Sequence, residues 1–540
     1  MNSTLSRRTF LGTSAALGAA AVMGIAGCSS PTAVSSTGGE PEATASDARI
    51  NNAPESIAET YDVDVVIIGT GGSGAACLAQ ATENGLTALA IEKQDSIGGG
   101  TKGGIGAVFS LGDEYHEKAG LNIFTPAQLV SHELQTSQYR ADGARWLKLV
   151  SESADTLQWV IDHGGAVWHY EEVTPEAMAE HAINVQSDFM MPPLFWKDAS
   201  SLDNCIKPLI AAAESQGAEV LLDTEATSLI QAEDGTVIGL YAVGPNGGVQ
   251  VSAKAVVLAT GGFSANHELI AKAGWDLEET IDCNMGVETG DGYLFGLAAG
   301  AQDRIGEAAP MAQWAIEAFP GRTWNDPVQG DNGWTQLAKQ ILVNQNGERF
   351  MAEDVPLANP IMQVLPTKNN QKTYTIFNDA IFAEHFAQVP DAQDQLEKAL
   401  ADNLGDSFYR CDTIEECAEK FGIDAAQLAA TLADYNRYCE NGLDEQFLKS
   451  DDYLEKIEGP FYIGHIKNGM QVYIGGLNTS DKFEVLDDAY EPIPGLYATG
   501  VDGCTLYRSC YTVAIGSGTF AHSLWSGRKA ADAIAEHMAG

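Results

Sequence analysis

Apolar and polar residues alternate along the chain in a pattern that predicts strands and helices in turn from about residue 61 onward. The run from Tyr61 to Gly69 is rich in β-branched residues, which is typical of a buried parallel strand. A helix is predicted from about Ser73 to Glu83, because an Asn-Gly pair follows it, and a second strand from Thr87 to Ile91. Strand, helix and strand in this order predict a βαβ unit.

Three later segments repeat the close association of regular structure with glycine. Ala255 to Phe263 and Pro494 to Gly500 are each predicted as a strand that ends in small residues. A C-terminal helix is predicted to open at Ala514 to Gly518. Strands and helices that alternate in this way predict an α/β fold.

The N-terminal residues carry no such pattern. Arg7 and Arg8 begin a twin-arginine export pattern, and the apolar stretch from Leu11 to Ala26 is too short and too rich in small residues for a good permanent membrane span. The stretch leads to Cys28 in a motif that resembles a lipoprotein signal; cleavage without lipid and an uncleaved anchor are the alternatives. We therefore predict a signal over residues 1–27 and an exported protein at the extracytoplasmic face of the cell membrane, lipid-anchored or periplasmic.

Composition identifies a tether and limits the partners. Residues 28–60 are rich in Ser, Thr, Ala, Gly, Pro and Glu without an apolar period, which predicts a disordered segment. In the whole chain of 540 residues, 30 Lys and Arg stand against 74 Asp and Glu, a net charge of −44. Phosphate repels such a chain, so we expect no nucleic-acid partner and membrane contact only through the N-terminal lipid or signal.

The cysteines do not have the spacing of a metal or haem site. No C-x-x-C or C-x-x-C-H occurs among them, so we predict no covalent haem, zinc site or iron–sulfur cluster. Cys77 falls inside a predicted helix and is expected to be a core thiol. An extracytoplasmic location would permit a disulfide, such as Cys411 with Cys417, and the sequence leaves that pairing open.

The candidate chemistry begins in the loop after the first strand, which reads Gly69-Thr70-Gly71-Gly72-Ser73-Gly74. Gly69 permits a tight turn, Gly71 lets a pyrophosphate approach the backbone, and Gly74 allows the helix to pack closely on the strand. The positive N-terminal end of the helix would face the pyrophosphate. Glu92, at the end of the second strand, can accept hydrogen bonds from ribose hydroxyls. Together these features predict a dinucleotide-binding site.

A second glycine-rich loop, from Ile97 to Gly104, favours FAD because it gives backbone access along the ribityl chain and the flavin ring. The amide-rich start of the C-terminal helix could stabilise negative charge on the reduced flavin near N1. We predict non-covalent FAD, since Thr101 and its neighbours lack a nearby His. The predicted cofactor-binding residues are Gly69, Gly71, Gly72, Ser73, Gly74, Glu92, Lys93, Gly99, Gly100, Thr101, Gly103, Gly104, Ala226, Thr260, Gly261, Gly262, Asp291, Gly500, Asp502, Ala514 and Ile515.

These motifs, in this order, resemble the flavoprotein family of fumarate reductases, succinate dehydrogenase flavoproteins and 3-ketosteroid Δ1-dehydrogenases. The resemblance runs from about Tyr61 to His537. It includes Thr289-Gly290-Asp291-Gly292 and, further along, Gly347-Glu348-Arg349-Phe350.

The resemblance implies a domain organisation and a reaction. A Rossmann-type FAD-binding domain would be split into residues 61–305 and 473–540, with an α+β capping domain over residues 306–472 inserted between them. The reaction implied is hydride transfer between flavin N5 and one carbon of a C=C bond, with a proton moving at the other carbon. The cap is then expected to cover a small-molecule substrate.

The substrate half departs from the fumarate reductase pattern. In place of R-F-x-x-E-x-x-x-R-D, whose second Arg delivers the proton, the run from Arg349 has Leu357 at that arginine. In place of H-T-x-G-G, whose His holds a substrate carboxylate, the chain has Val472 at the histidine. Arg508, where the family has N-R-L-G, is then the obvious carboxylate clamp. Because fumarate is a dianion that needs several cations, we expect a less charged enoate, enone or aryl acrylate.

Another group must then move the proton. Tyr473, Tyr507 and Tyr511 lie beside the predicted flavin and substrate contacts, and a tyrosine can serve as a general acid. The resemblance to ketosteroid enzymes, which use tyrosine in this way, supports them, although buried tyrosines commonly just satisfy a backbone group. The predicted catalytic residues are Arg508, Tyr507, Tyr511 and Tyr473. Four cap aromatics are expected either to line the pocket or to form ordinary cap core: Trp314, Trp324, Trp334 and Phe319.

The flavin also needs an electron source. No second nucleotide-binding βαβ unit, haem motif or cluster motif is evident in the sequence. We therefore expect a separate partner, a membrane cytochrome or a quinol-linked donor. Two alternatives to a reductase stay open: a dehydrogenase that introduces a C=C bond, as in ketosteroid oxidation, and a non-catalytic flavin-binding lipoprotein that relays electrons.

Overall fold

Two large β-sheets organise the computed structural model, which describes residues 49–103, 106–118, 124–167, 193–316, 338–354, 364–385, 387, 392–401, 403–512 and 515–540. All of these belong to one unit that begins at residue 45. The strands are β1 (Ile57–Ile68), β2 (Ala88–Ile91), β3 (Ala107–Val108), β4 (Leu194–Phe195), β5 (Glu219–Leu221), β6 (Glu225–Gln231), β7 (Val237–Gly244), β8 (Gly247–Leu258), β9 (Thr280–Asp282), β10 (Ala309–Ile316), β11 (Ile341–Asn344), β12 (Thr373–Asn378), β13 (Phe408–Cys411), β14 (Phe461–Ile474), β15 (Glu484–Leu486) and β16 (Pro492–Ala498). The helices are α1 (Gly72–Glu83), α2 (Glu114–Lys118), α3 (Pro126–Thr136), α4 (Gly143–Asp162), α5 (Lys207–Ser215), α6 (His267–Lys272), α7 (Asp291–Ala298), α8 (Val364–Lys368), α9 (Asp379–His385), α10 (Ala392–Ala401), α11 (Asn403–Asp406), α12 (Ile414–Phe421), α13 (Ala425–Asn441) and α14 (Gly518–Ala539).

The larger sheet has eight strands and contains the predicted βαβ unit. Its central order is β15-β16-β8-β1-β2-β5, and β7 pairs with both β8 and β6. β1 is parallel to β2, with Val65 opposite Ala88, and parallel to β8, with Val65 opposite Ala255. The parallel strands β16, β8, β1, β2 and β5 therefore end at one edge, where open α/β sheets bind their ligands. The predicted α/β fold with a Rossmann-type unit is confirmed.

Successive residues of β1 point to opposite faces of the larger sheet, and each face has its own core. Val65 and Ile67 belong to a first core, which includes side chains of α1 and α14. Val66 and Ile68 belong to a second core, which includes side chains of α7. All four residues are buried, as expected for a parallel strand covered on both faces.

Two glycines let α1 approach its neighbours closely. A Cβ on Gly74 would lie 2.0 Å from the Gly69 carbonyl oxygen at the end of β1. A Cβ on Gly527 of α14 would lie 2.1 Å from the Ser73 carbonyl oxygen in the first turn of α1. Only glycine permits both approaches, so the start of α1 is held tightly between β1 and α14 at the ligand-binding edge.

The smaller sheet has six strands, and five of them begin within the predicted cap segment, residues 306–472. Its order is β10-β14-β12-β11, and β13 and β9 also pair with β14. β10 begins at Ala309 and β14 ends at Ile474, close to the predicted cap bounds of 306 and 472. β9 differs from the prediction, because it lies before residue 306 yet pairs in parallel with β14, with Thr280 opposite Asn468. The FAD segment 61–305 therefore contributes one strand to the cap sheet.

The structured chain begins earlier than predicted. Strand β1 starts at Ile57, and the Asn51 backbone N–H donates to the Leu229 carbonyl oxygen at 2.7 Å. The Asn51 side chain also donates to the Gln231 carbonyl oxygen at 2.9 Å. The predicted tether over residues 28–60 is therefore wrong in its last dozen residues, because β6 offers backbone groups that pair with them.

The structure also bears on the expectations about membrane spans, cysteines and metal sites. Among the described residues, no helix is long and apolar enough to cross a membrane. The predicted signal, residues 1–27, lies outside the described residues. Cys77 is a buried thiol in the first core, whereas Cys411 and Cys417 are free thiols within hydrogen-bond reach of each other. The described residues contain no group of three or more His, Cys, Asp and Glu that could hold a metal ion.

Candidate functional site

The loop between β1 and α1 has the geometry of a phosphate cradle. Gly69 adopts a φ of 101°, and a Cβ there would lie 2.4 Å from the Ala259 carbonyl oxygen at the end of β8. Helix α1 begins after Gly71 without a side-chain cap and without an acidic residue in its first turn. Its amide dipoles are therefore not neutralised by a carboxylate, which suits a bound pyrophosphate.

The second glycine loop is anchored to the first. Gly99–Gly103 forms a short 3₁₀ helix, and the Gly72 backbone N–H donates to Thr101 Oγ1 at 3.1 Å. A Cβ on Gly100 would lie 1.8 Å from Glu288 Oε1. Glu288 is buried, and its Oε2 has no hydrogen-bond partner among the described residues. Burial raises the pKa of this carboxyl, so it favours the protonated form more than an exposed glutamate does.

Glu92, predicted to bind ribose, is already used within the protein. Its Oε2 accepts from the Thr70 backbone N–H at 3.0 Å and from Thr70 Oγ1 at 2.7 Å. Its Oε1 accepts from the Gln94 backbone N–H at 3.0 Å. Oε2 already accepts two hydrogen bonds, whereas Oε1 can accept one more, so a ribose contact through Oε1 stays a prediction.

Asp291 lies in a charged cluster beside the start of α7. Its carboxylate accepts from Lys93 Nζ at 3.1 Å and from Arg49 Nη1 at 3.3 Å. Burial opposes ionisation, yet Lys93 and Arg49 help to hold the pKa of Asp291 below its usual value. Lys93 and Asp291 were predicted as cofactor contacts and the structure brings them together. Arg49 was missed, since it lies in the predicted tether.

Asp502 joins the ends of β8 and β16. Its carboxylate accepts from the Thr260 backbone N–H at 2.5 Å and from the Gly262 backbone N–H at 3.0 Å. It is wholly buried, and burial raises its pKa. Gly500 lies against α1, where a Cβ would meet Ser73 Oγ at 2.4 Å. In this structure Asp502 therefore positions the Thr260–Gly262 turn.

These contacts test whether the residues fit FAD. Four separated segments meet at the edge of the larger sheet: Gly69–Gly74, Gly99–Gly103, Thr260–Gly262 and Gly500–Asp502. They present glycine backbone rather than side chains around an uncapped helix start, as a dinucleotide requires. Of the other predicted contacts, Ala226 packs against the second core and Ile515 is buried, whereas Gly104 and Ala514 lie outside the described residues.

Helix α14 begins beside the predicted catalytic tyrosines. Its N-cap, Ser517, has a φ of 59°, and its Oγ is buried without a partner among the described residues. No acidic residue lies in the first turn. A Cβ on Gly518 would lie 3.4 Å from the Tyr507 hydroxyl. The positive end of the α14 dipole and a phenol are therefore neighbours.

Two of the three candidate tyrosines form a hydroxyl network. The Tyr507 hydroxyl lies 2.8 Å from Thr519 Oγ1, which lies 3.3 Å from the Tyr511 hydroxyl. The centroids of the two tyrosine rings are 4.5 Å apart, and both side chains are buried in the first core. Burial raises the pKa of Tyr511 to about 12 and raises that of Tyr507 well above its usual value. Both phenols therefore hold their protons at neutral pH.

Tyr473 lies elsewhere. It belongs to the second core, where its ring stacks on Phe263 at 4.6 Å and its hydroxyl accepts a hydrogen bond from Trp275 Nε1. The sequence placed Tyr473 with the other two tyrosines, but the structure does not bring it into their network. A satisfied core tyrosine describes it better than a proton donor does.

Arg508, the predicted carboxylate clamp, already has carboxylate partners. Its guanidinium lies 3.2 Å from Glu307 Oε2 and 3.8 Å from Asp142 Oδ2. A substrate carboxylate would therefore have to compete with two protein carboxylates. Val472 is partly buried in β14 opposite Met311 of β10, and it adds no charge. Leu357 lies outside the described residues, as do three of the four cap aromatics; the fourth is a β10 residue.

Glu133 is a neighbour of the tyrosine network that sequence reasoning missed. It lies on the buried face of α3 and accepts a hydrogen bond from Thr512 Oγ1 through Oε1. Its Oε2 has no partner among the described residues. Burial raises the pKa of Glu133 to about 8. The available signal was an acid placed one turn after the apolar pair Leu129-Val130, on the same helix face.

The chain matches a known family over most of its length. The FAD binding domain family matches residues 64–514, so the chain belongs to it, and FAD is its cofactor. Vinyl phenol reductase from Lactiplantibacillus plantarum is 28% identical over 89% of this chain and 98% of that protein. Urocanate reductase from Eggerthella lenta is 29% identical over 84% of this chain and 71% of that protein.

Solved structures share the fold. A flavocytochrome c3 fumarate reductase in an open conformation superposes with a TM-score of 0.62 at 24% identity, over 89% of this chain and 79% of that one. A 3-ketosteroid-Δ4-(5α)-dehydrogenase from Rhodococcus jostii superposes with a TM-score of 0.65 at 22% identity, over 90% and 99%. The predicted resemblance is confirmed, and the chain is an FAD-dependent oxidoreductase.

Proposed function

We propose that this member of the FAD binding domain family reduces the activated C=C bond of an enoate, enone or aryl-substituted alkene rather than fumarate. The observation that carries the proposal is the buried Tyr507–Thr519–Tyr511 hydroxyl network beside the start of α14. The names of two relatives, a vinyl phenol reductase and a urocanate reductase, support a substrate that carries an aromatic ring.

The charges near the network argue against a small dianion. Arg508 is occupied by Glu307 and Asp142, and Val472 replaces the histidine that holds a carboxylate in fumarate reductases. A second substrate carboxylate left unpaired in a buried site would be costly. A neutral or singly charged alkene avoids this cost.

The chain's own residues supply the proton and the electrostatic field. When bound, FAD supplies a hydride from N5 to one alkene carbon. Tyr511 or Tyr507 donates its hydroxyl proton to the other carbon, so the C=C bond becomes CH–CH and a phenolate is left. Thr519 holds the two hydroxyls in place, and the N-terminal end of α14 stabilises negative charge nearby.

We also propose a place where the protein works and a donor that reduces it. The Arg7-Arg8 pair and Cys28 support export and lipid attachment at the extracytoplasmic face. NADH is scarce there, so a membrane cytochrome or a quinol-linked protein is the electron donor that fits. Cell fractionation of a tagged full-length protein, compared with Cys28→Ala, tests this part: loss of membrane attachment is expected for the variant.

The catalytic part is tested by flavin reoxidation. The purified FAD-loaded protein is reduced with dithionite without oxygen and mixed with 4-vinylphenol, cinnamate, cyclohexenone or fumarate. At least one of the first three is expected to reoxidise the flavin faster than fumarate. Fastest reoxidation by fumarate would contradict the substrate class. Reoxidation by none of the four, with rapid exchange with a cytochrome, would favour an electron relay.

The tyrosine assignment has its own test. Tyr507→Phe and Tyr511→Phe keep the rings packed and remove one hydroxyl each. One of them is expected to slow reoxidation by the alkene by about 100-fold or more, as for loss of a general acid. Tyr473→Phe is the matched control and should leave the rate within about threefold of wild type. Unchanged rates in both of the first two variants would eliminate the network as the proton source.

A further inference from the structure

We propose that Glu133 supplies the proton that reloads the Tyr507–Tyr511 pair after each reduction. This inference rests on the proposed function, because it assigns the source of the proton that the phenol passes to substrate. Glu133 acts through the tyrosines and through Thr512, so it need not touch the substrate.

The position of Glu133 is the first argument. Its side chain is wholly buried, and Oε1 accepts a hydrogen bond from Thr512, the residue after Tyr511. Thr512 is itself buried, so α3 and the segment before α14 enclose the contact. The carboxyl is therefore fixed one residue from the phenol that it would reload.

The unpartnered oxygen is the second argument. Oε2 of Glu133 is buried and has no hydrogen-bond partner among the described residues. A buried carboxylate left without partners costs several kcal/mol, whereas a protonated carboxyl carries a donor that can move to a neighbouring acceptor. A purely structural glutamate would gain nothing from this arrangement.

The charges around Glu133 are the third argument. Among the described residues, Tyr507, Tyr511 and Cys510 interact electrostatically with Glu133, and each of them becomes an anion when it loses its proton. A phenolate formed on Tyr511 would therefore raise the proton affinity of the whole cluster. Since the Glu133 carboxyl is a stronger acid than the Tyr511 phenol, its proton moves to the phenolate.

The proton balance closes over one turnover. The alkene carbon takes a proton from a tyrosine hydroxyl, and the phenolate takes one from the Glu133 carboxyl. The Thr512 hydroxyl, which can donate and accept, contacts the Glu133 carboxyl, and a bridging water molecule would carry the proton from there to the phenolate. The Glu133 carboxylate then recovers its proton from solvent before the next turnover.

The test measures the pH dependence of alkene reduction over many turnovers of the FAD-loaded protein, with reduced methyl viologen in excess as the electron donor, without oxygen, and with the alkene that reoxidises the flavin fastest. Many turnovers are needed because the phenol must be reloaded only from the second turnover onward. In the wild type, the rate is expected to fall above about pH 8, where Glu133 loses its proton. Glu133→Gln should be about 10-fold slower at pH 7 and should lose this alkaline fall. Glu133→Asp, which can still carry a proton, should keep a pH-dependent fall. Glu117→Gln, an exposed glutamate on α2, is the matched control.

A second readout does not depend on turnover. Infrared difference spectra of the wild type between pH 7 and 9 should contain the carbonyl band of a protonated carboxylic acid, and the band should be missing in Glu133→Gln. A Glu133→Gln protein with the wild-type rate and the wild-type pH profile would overturn the inference while leaving the proposed function intact. A wild-type flavin that no alkene reoxidises would overturn the proposed function, and with it this role.

A variant pair covers the case in which Glu133→Gln fails to hold FAD. Thr512→Val removes the hydroxyl that donates to Glu133, and Thr512→Ser keeps it. The valine variant is expected to be slower and to show a shifted alkaline fall, while serine restores the wild-type profile. Identical profiles in the two variants would count against the route through Thr512 and against Glu133.

Discussion

Two buried glutamates of this chain are held in opposite ways. In the cap, Glu353 accepts from Arg349 Nε at 2.8 Å and Nη2 at 2.7 Å, and it lies 3.4 Å from Lys449 Nζ. Beside the tyrosines, Glu133 is just as buried but has a threonine hydroxyl as its partner. Burial alone therefore does not decide the charge of a carboxyl; the groups that meet it do.

The difference between the two glutamates matches a structural role for Glu353 and the proposed proton-supplying role of Glu133. The cap cluster pairs each charge, which fixes β11 to the loop that carries Asp444. The Glu133 carboxyl, near the tyrosine hydroxyls, accepts one hydrogen bond, from Thr512. Burial raises its pKa to about 8, so it can change protonation near neutral pH. One arrangement holds a domain together and the other stores a proton.

The largest effect is expected from a substitution that disrupts the charge-paired cluster around Glu353. Arg349→Met leaves Glu353 and Asp444 buried without their main cation, and such an uncompensated charge costs about 3–5 kcal/mol. Chemical denaturation followed by circular dichroism should show a loss of this size in the free energy of unfolding. Arg437→Met, an exposed arginine that pairs with Glu445, is the control and should change it by less than about 1 kcal/mol.

A third buried carboxylate sharpens the comparison, because backbone amides rather than cations satisfy it. Asp502→Asn would place an amide against the Thr260 or Gly262 backbone N–H, which costs about 1–3 kcal/mol. Since this turn belongs to the FAD cradle, FAD affinity should fall by about 5- to 100-fold. Fluorescence titration of the apoprotein with FAD measures this loss. Equal affinity in Asp502→Asn and in the surface variant Asp481→Asn would show that the turn holds its shape without Asp502.

The protonation of Glu133, the carboxyl without a cation, is tested by the pH dependence of stability. The pKa of Glu133 rises from its usual 4.5 in the unfolded chain to about 8 in the folded protein. Between these values the folded protein holds one more proton, so the free energy of unfolding falls as pH rises, by about 1.4 kcal/mol per pH unit. Glu133→Gln removes this contribution, which is complete below about pH 4.5 and lost above about pH 8. The variant should therefore gain on the wild type between pH 6 and pH 7 in denaturation curves, and parallel curves would mean that Glu133 is ionised throughout.

The smallest expected effect concerns a partly buried ion pair at the FAD edge of the larger sheet. Arg49→Gln removes one of the two cations on Asp291, and Lys93 remains. Because the Arg49 side chain is partly exposed, we expect a loss of less than about 1 kcal/mol in thermal denaturation. A loss above about 2 kcal/mol would show that the segment before β1 is a structural clamp comparable to the cap cluster.

The sequence alone determined the cofactor half. The turn after Gly69, the helix that follows and the acid at Glu92 are local features, whose geometry depends on residues within about 25 positions of one another. The same holds for the glycine-rich turns after β8 and β16, which need backbone conformations or approaches that favour glycine. Local rules were therefore sufficient to predict the fold class and FAD.

Only the tertiary structure decided the rest. Glu133 and Thr512 are 379 positions apart, so nothing in the local pattern of either could predict their contact. Tyr473 and Tyr507 look alike in the sequence, yet they lie in cores on opposite faces of one sheet. Strand β9 pairs with β14, and Arg49 pairs with Asp291. Both contacts join segments that lie far apart in the sequence. The proposed role of Glu133 depends on contacts between such distant segments, because burial and partners, not residue type, set the charge of a carboxyl.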